Sequence, residues 1–298
     1  MKAARTWTWT LLVALAAFPA QAQEQEGDSE AGSDPVKERI LWQRATRDEP
    51  YVFQAFKQNY VLPASYVTDI NDSPSTAGLS GSSRFQDAEV KFQFSIRVNL
   101  WPDIVNERTS VSFGYTQLSL FQAYNGGASR PFRETNYSPE IWFDYLFAGE
   151  PAGLFEARVL RIGYQHESNG RQEPLSRSWD RVYVDLIFEV GRVAVSLRPW
   201  YRLPEKDSRD DNPDIHEYMG YGDLVLVYPR GGHTVSALLR NNLDTASNRG
   251  AVELGYSFPL AGQLRGYLQV FSGYGESLID YNHSATRVSL GIMLHDWL

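Results

Sequence analysis

The chain has 298 residues, a formal net charge of -8, 21% charged and 13% aromatic side chains, and no cysteine. The acidic balance excludes a nucleic-acid partner held by phosphate neutralisation, and the lack of cysteine excludes a disulfide framework and a lipoprotein attachment point. A mean hydropathy of -0.38 looks soluble, yet a transmembrane barrel has the same signature, because every second strand residue faces a polar lumen.

Lys2 and Arg5 precede the apolar run from Trp7 to Phe18 and the small-x-small pattern Ala20-Gln21-Ala22. This predicts a secretory signal peptide over 1–22, the apolar run being too short for a retained transmembrane helix. Residues 23–50 carry Glu24, Glu26, Asp28, Glu30 and Asp34 with few apolar residues before Ile40, which predicts a flexible acidic arm.

From residue 51 to 298 the pattern changes to period two. Val90, Phe92, Phe94, Ile96, Val98 and Leu100 alternate with Lys91, Gln93, Ser95, Arg97 and Asn99, which is strand and not helix. The same alternation returns over 181–190, where Ile187 is the one apolar intruder on the polar side, and over 193–203, 252–258 and 287–294. Weaker segments at 51–62, 111–121, 139–147, 155–166, 218–228, 234–242 and 264–274 bring the expectation to about twelve strands. Short connections at 101–109, 148–154, 191–192, 229–233 and 259–263 alternate with mostly longer polar ones at 63–89, 122–138, 167–178, 204–217, 243–251 and 275–286. That asymmetry predicts an all-β, transmembrane antiparallel β-barrel of bacterial outer-membrane type, with periplasmic turns, longer outside loops and both termini periplasmic. A soluble β-sandwich also alternates, but its strands are usually shorter.

The hairpin at 155–190 carries the chemistry. Residues i and i+2 of a strand point to one side, so His166 and Ser168 share the phase of Leu160, Ile162 and Tyr164. On the returning strand Asp180 is in phase with Val182, Val184 and Leu186. Base, nucleophile and acid therefore fall together on the lipid-facing side. Polar groups cost a few kcal/mol at bilayer depth and less near the interface, so such a cluster suggests function, the plainer alternative being that all three sit above the membrane among loop residues. A serine needs a base, and the base a group that orients it.

Tyr164-x-His166-x-Ser168-Asn169-Gly170-Arg171 followed by Ser176-Arg177-Ser178-Trp179 closely resembles the outer membrane phospholipase A family. Further matches run through Tyr115-Thr116-Gln117, Pro131 to Tyr137, Pro199-Trp200-Tyr201, Asp211 to Ile215, Tyr218 to Tyr221 and Ser272 to Asn282. The resemblance implies a calcium-dependent phospholipase of A1/A2 and lysophospholipase type. It implies Ser168 as nucleophile, His166 as general base and the Gly170 N–H as oxyanion donor. The family's third member is usually asparagine, and this chain has Asp180 in its place, still an acceptor for the imidazole N–H. The resemblance also implies a calcium ion held by the Arg171 carbonyl, the Ser176 hydroxyl and Ser129 of a second protomer, an all-oxygen set suited to a hard cation. Gln117 becomes the candidate for a hydrogen bond across a dimer seam, an interfacial side chain being the plainer reading. Asp211 and Glu173 read as solvated loop acids, with an additional calcium site as the alternative. A passive pore or structural barrel is the competing function. Against it stand bulky lumen residues of mixed sign, Arg97, Arg181, Asp185, Glu189, Arg198, Trp200, Arg202 and Glu253, which suit a filled interior.

Overall fold

The computed structural model describes residues 52–72, 84–147, 155–206, 208–262 and 264–297. The expected signal peptide over 1–22 and acidic arm over 23–50 lie outside them. Twelve antiparallel strands close into a barrel: β2 (Asn59–Val67), β3 (Ala88–Pro102), β4 (Thr109–Phe121), β5 (Phe132–Leu146), β6 (Phe155–Ser168), β7 (Ser178–Val190), β8 (Val193–Arg202), β9 (Gly222–Arg230), β10 (His233–Asn241), β11 (Gly250–Ala261), β12 (Leu264–Tyr274) and β13 (Ser284–His295). Each pairs with its sequence neighbour, and β13 pairs with β2 to close the ring. A two-residue strand, β1 (Gln54–Ala55), continues the track of β2 along β3. Both ends of the described chain reach the rim of short turns, because His295 pairs with Asn59 there. Closure leaves no open edge, the condition for a sheet to cross a bilayer.

The pleat separates the faces as the alternation predicts. Ile162, Tyr164, Val182 and Val184 face outward, while Arg161, Gln165, Arg181 and Asp185 between them are buried inside. The lumen charges are paired. Arg133 donates to Glu89 at 3.1 Å and to Asp280 at 2.8 Å, Arg287 bonds Glu89 and Glu276 at 2.7 Å each, and Lys91 reaches Glu276 at 3.0 Å. Lower in the barrel Lys57 meets Glu140 at 2.6 Å and Arg198 meets Asp185 at 3.1 Å. Removing one partner of such a buried pair strands the other charge. Around a residual cavity of about 330 Å³ the interior is thus occupied by side chains. Ile187, the apolar intruder, joins Ala194, Val225, Val227, Leu238 and Trp297 in a small apolar cluster inside the lumen.

Three boundaries depart from the sequence reading. β2 runs on to Val67, through Pro63, instead of ending near 62. Proline lacks a ladder donor, and the strand accommodates it with register shifts toward both β3 and β13. Gly291 lies beside that bulge, where a Cβ would sit 2.1 Å from the Val61 carbonyl oxygen and 2.7 Å from Pro63. β5 starts at Phe132, not 139, because Arg133 bonds Asp280, Glu134 accepts from the Ile279 N–H and Asn136 from the Leu278 N–H, buried partners that no local pattern contains. Residues expected to open a strand at 218 instead end a short helix, α1 (Ile215–Met219), which buries Ile215 and Met219. β9 begins only at Gly222.

Candidate active site

β6 and β7 pair in a register that sets His166 directly opposite Asp180 and Ser168 opposite Ser178. The imidazole Nδ1 lies 2.9 Å from Asp180 Oδ1. His166 and Asp180 are 38% and 30% exposed on the outer face, near the rim of long loops. With Nδ1 engaged by the acid, Nε2 is the nitrogen left to exchange a proton. Ser168, half-buried at the end of β6, follows two residues later on the same face. About 7 Å separates successive same-face Cα atoms of a strand, within the combined reach of the two side chains. The Tyr164 hydroxyl also donates to Asp180 Oδ1, at 2.5 Å.

Past Ser168 the chain turns sharply at Gly170, whose φ of +64° is left-handed. The Tyr137 ring lies 3.2 Å from where a Cβ would stand, so both the backbone and the neighbour favour glycine. Among the described residues the Gly170 N–H donates no hydrogen bond. Asn169 is buried and staples the loop. Its side chain accepts from the Arg171 and Arg177 N–H groups at 3.3 and 3.0 Å and donates to the Leu175 carbonyl at 2.8 Å. That staple holds Arg171 and Ser176 close together. The Arg171 guanidinium anchors to the Arg133 carbonyl and lies 3.4 Å from Glu134.

The Ser176 hydroxyl donates to Asp211 Oδ2. A hydrogen bond with Asp211, and the charge of that acid, hold the exposed Glu173 carboxyl above its ordinary range. Glu173, Ser176 and Asp211 therefore form one cluster of oxygens on the loops next to the end of β6. Two acids that repel at this distance are eased by a cation, and an all-oxygen donor set fits a hard one. Ser129 is elsewhere, exposed in the loop between β4 and β5, and it caps a single 3-10 turn in left-handed conformation, φ 61°.

Gln117 points outward from β4. Tyr115 donates to its oxygen at 3.0 Å, and its amide nitrogen donates to Ser119 at 3.1 Å. The ladder register aligns Gln117, Tyr137, Ser168 and Ser178 in one row across four strands. The amide is thus two strands from the serine, on the order of 10 Å away. Sequence reasoning missed the hydroxyl contact of Tyr164 and the Asn169 staple. Tyr164 had a legible signal, since it lies in outward phase two residues before His166, whereas the partners of Asn169 are set by the folded loop.

A closed antiparallel barrel with an apolar outer wall and a charged, paired interior is an integral outer-membrane protein that crosses the bilayer many times. A family model described as Phospholipase A1 matches residues 36–294. Phospholipase A1 of Escherichia coli K12 is 41% identical over 253 residues, 84% of this chain and 83% of that protein, and the Klebsiella pneumoniae protein is 40% identical over 253 residues with 84% of each covered. The Escherichia coli outer membrane phospholipase A structure superposes with a TM-score of 0.77 at 40% identity, covering 84% of this chain and 95% of that one. A Salmonella typhi outer membrane phospholipase structure, described as a dimer with bound calcium, superposes with a TM-score of 0.79 at 38% identity, covering 86% and 97%. The chain belongs to the phospholipase A1 family, and it is a hydrolase.

Proposed function

We propose that the protein hydrolyses acyl esters of phospholipids and lysophospholipids in the outer membrane, with Ser168 as nucleophile, His166 as base and Asp180 as the group that orients it. The 2.9 Å bond between His166 and Asp180 on the lipid face, two residues before a serine, carries this reading. Ser168 Oγ attacks the ester carbonyl carbon and passes its proton to His166 Nε2. Collapse of the tetrahedral species breaks the bond to the glycerol oxygen, which takes the proton from the imidazolium. Water, deprotonated by the same imidazole, then releases the fatty acid. The Gly170 N–H faces the charge that develops on the former carbonyl oxygen. Ester, base and acid meet at the depth where substrate already resides.

The Arg171 carbonyl and the Ser176 hydroxyl of one protomer, with Ser129 of the partner subunit, would hold a calcium ion, and Asp211, which accepts from Ser176, would with Glu173 offer carboxylates to an additional one. A bound calcium supplies positive charge near the oxyanion and an acidic water. The active form on this reading is a homodimer with the Gln117 row at its seam. The rim of short turns and both termini face the periplasm, and the mature chain starts near Gln23 after loss of residues 1–22.

Fatty-acid release from phospholipid–detergent mixed micelles by the purified protein tests this directly. Calcium should support turnover, and a chelator should lower it by at least about a hundredfold, the scale of losing an oxyanion-stabilising group. Undiminished release in chelator would sink the calcium requirement, and no release under either condition would sink the activity. Asp180→Asn should retain most turnover because its amide oxygen still accepts from His166, whereas Asp180→Ala should lose about a hundredfold. Equal rates for all three would show that Asp180 does not orient the histidine.

A further inference from the structure

The outward face of β6 carries a third polar group in line with His166 and Ser168. Tyr164 stands opposite Val182 in the ladder, diagonal to Asp180, a separation an aromatic side chain spans. The residue is 39% exposed on the apolar wall, and its hydroxyl reaches Asp180 Oδ1 at 2.5 Å, the same oxygen that meets His166 Nδ1 at 2.9 Å. One acceptor atom therefore takes both bonds. A short phenol-to-carboxylate bond is charge-assisted, so the hydroxyl holds that oxygen in one orientation.

We propose that Tyr164 is a positioning residue that acts through Asp180: its hydroxyl fixes the carboxylate on the lipid face and shares its charge, so that His166 always meets an oriented acceptor. The inference rests on the triad reading above. A carboxylate in this apolar setting is poorly solvated. Without the phenol donor the carboxylate is free to turn about its side-chain torsion, and when it faces His166 its undivided charge bears on the imidazolium. Among the described residues few other charges face it. From β6 come His166 and Tyr164. From the β8 side come the Leu203 N–H, which bonds the Asp180 carbonyl, and Glu205, the carboxylate within electrostatic reach, lying 3.7 Å from Arg202. Asp210 is also tied to Arg202, at 2.6 Å.

The alternative is an interfacial aromatic that anchors the strand end through its ring alone. pH profiles of kcat in two backgrounds separate the two. Tyr164→Phe keeps the ring and removes the hydroxyl. In the Asp180 protein it should lower kcat roughly tenfold, the scale of one charged hydrogen bond weakened, with KM unchanged. The acidic limb should move to higher pH by roughly half a unit or more. An undivided carboxylate charge favours the imidazolium, which gives the shift that sign. In an Asp180→Asn background, where position 180 carries no charge, the limb should stay where it is when Tyr164→Phe is added. Tyr164→Leu, which deletes the ring as well, should shift the limb of the Asp180 protein as far as the phenylalanine does. Heat-modifiable gel migration reports the fold of each variant. An unmoved limb in the Asp180 protein, a shift of equal size in both backgrounds, or a rise in KM at constant kcat each overturns the proposal. Ser168→Ala, run alongside, keeps the two levels apart. If it is inert and the limb does not move, only the role of Tyr164 fails, and if it hydrolyses normally the triad fails and takes Tyr164 with it.

Discussion

Ser168→Ala is expected to abolish ester hydrolysis, by roughly 10⁵-fold or more, while the barrel stays folded. Deleting one member of a nucleophile–base pair removes nearly the whole contribution of the unit, because neither group works without the other. The packing cost is small. Ser168 is half-buried at the last position of β6, held by its backbone register with Tyr137 and Ser178, and surface substitutions of this kind stay within about 0.5 kcal/mol. Unheated and boiled samples should therefore show the same gel shift as the wild type. Fatty-acid release at wild-type rate from a heat-modifiable Ser168→Ala protein would remove the serine mechanism.

Complementation between two loop mutants is the second large effect. Ser129 sits on the loop between β4 and β5, while Arg171 and Ser176 sit on the loop between β6 and β7. If a calcium site draws Ser129 from one protomer and the other two from its partner, neither protomer completes the shell alone. Ser129→Ala and Ser176→Ala should each need more calcium for activity and show fewer crosslinked dimers at a given calcium level. A two-fold dimer of the two variants has one site that lacks both hydroxyls and one that is intact. At a calcium level where each variant alone is silent, a random mixture should recover about a quarter of wild-type activity, half of the dimers being mixed and half of their sites intact. No recovery, with mixed dimers demonstrated by crosslinking, would exclude the shared site.

The alternation of Val90 to Leu100 and of the later strands already determined an antiparallel barrel, and the phase of Leu160, Ile162 and Tyr164 already turned His166 and Ser168 outward. Both are local consequences of the pleat, in which every second side chain shares a face whatever its neighbour strand is. The placement of Asp180 in the outward set was legible for the same reason. Its position directly opposite His166 was not, since pairing depends on the register that barrel closure imposes. Strand ends were the least legible part. Pro63 and the polar run from Arg133 to Asn136 read as loop because their compensation, a bulge for the one and buried partners such as Glu89 and Asp280 for the other, comes from parts of the chain distant in sequence. The ion pairs that fill the lumen, the staple of Asn169 and the meeting of Ser176 with Asp211 join residues that are far apart or share no periodicity. Only the folded chain brings such donors and acceptors to hydrogen-bonding distance, because a hydrogen bond needs a distance and an angle that composition does not carry.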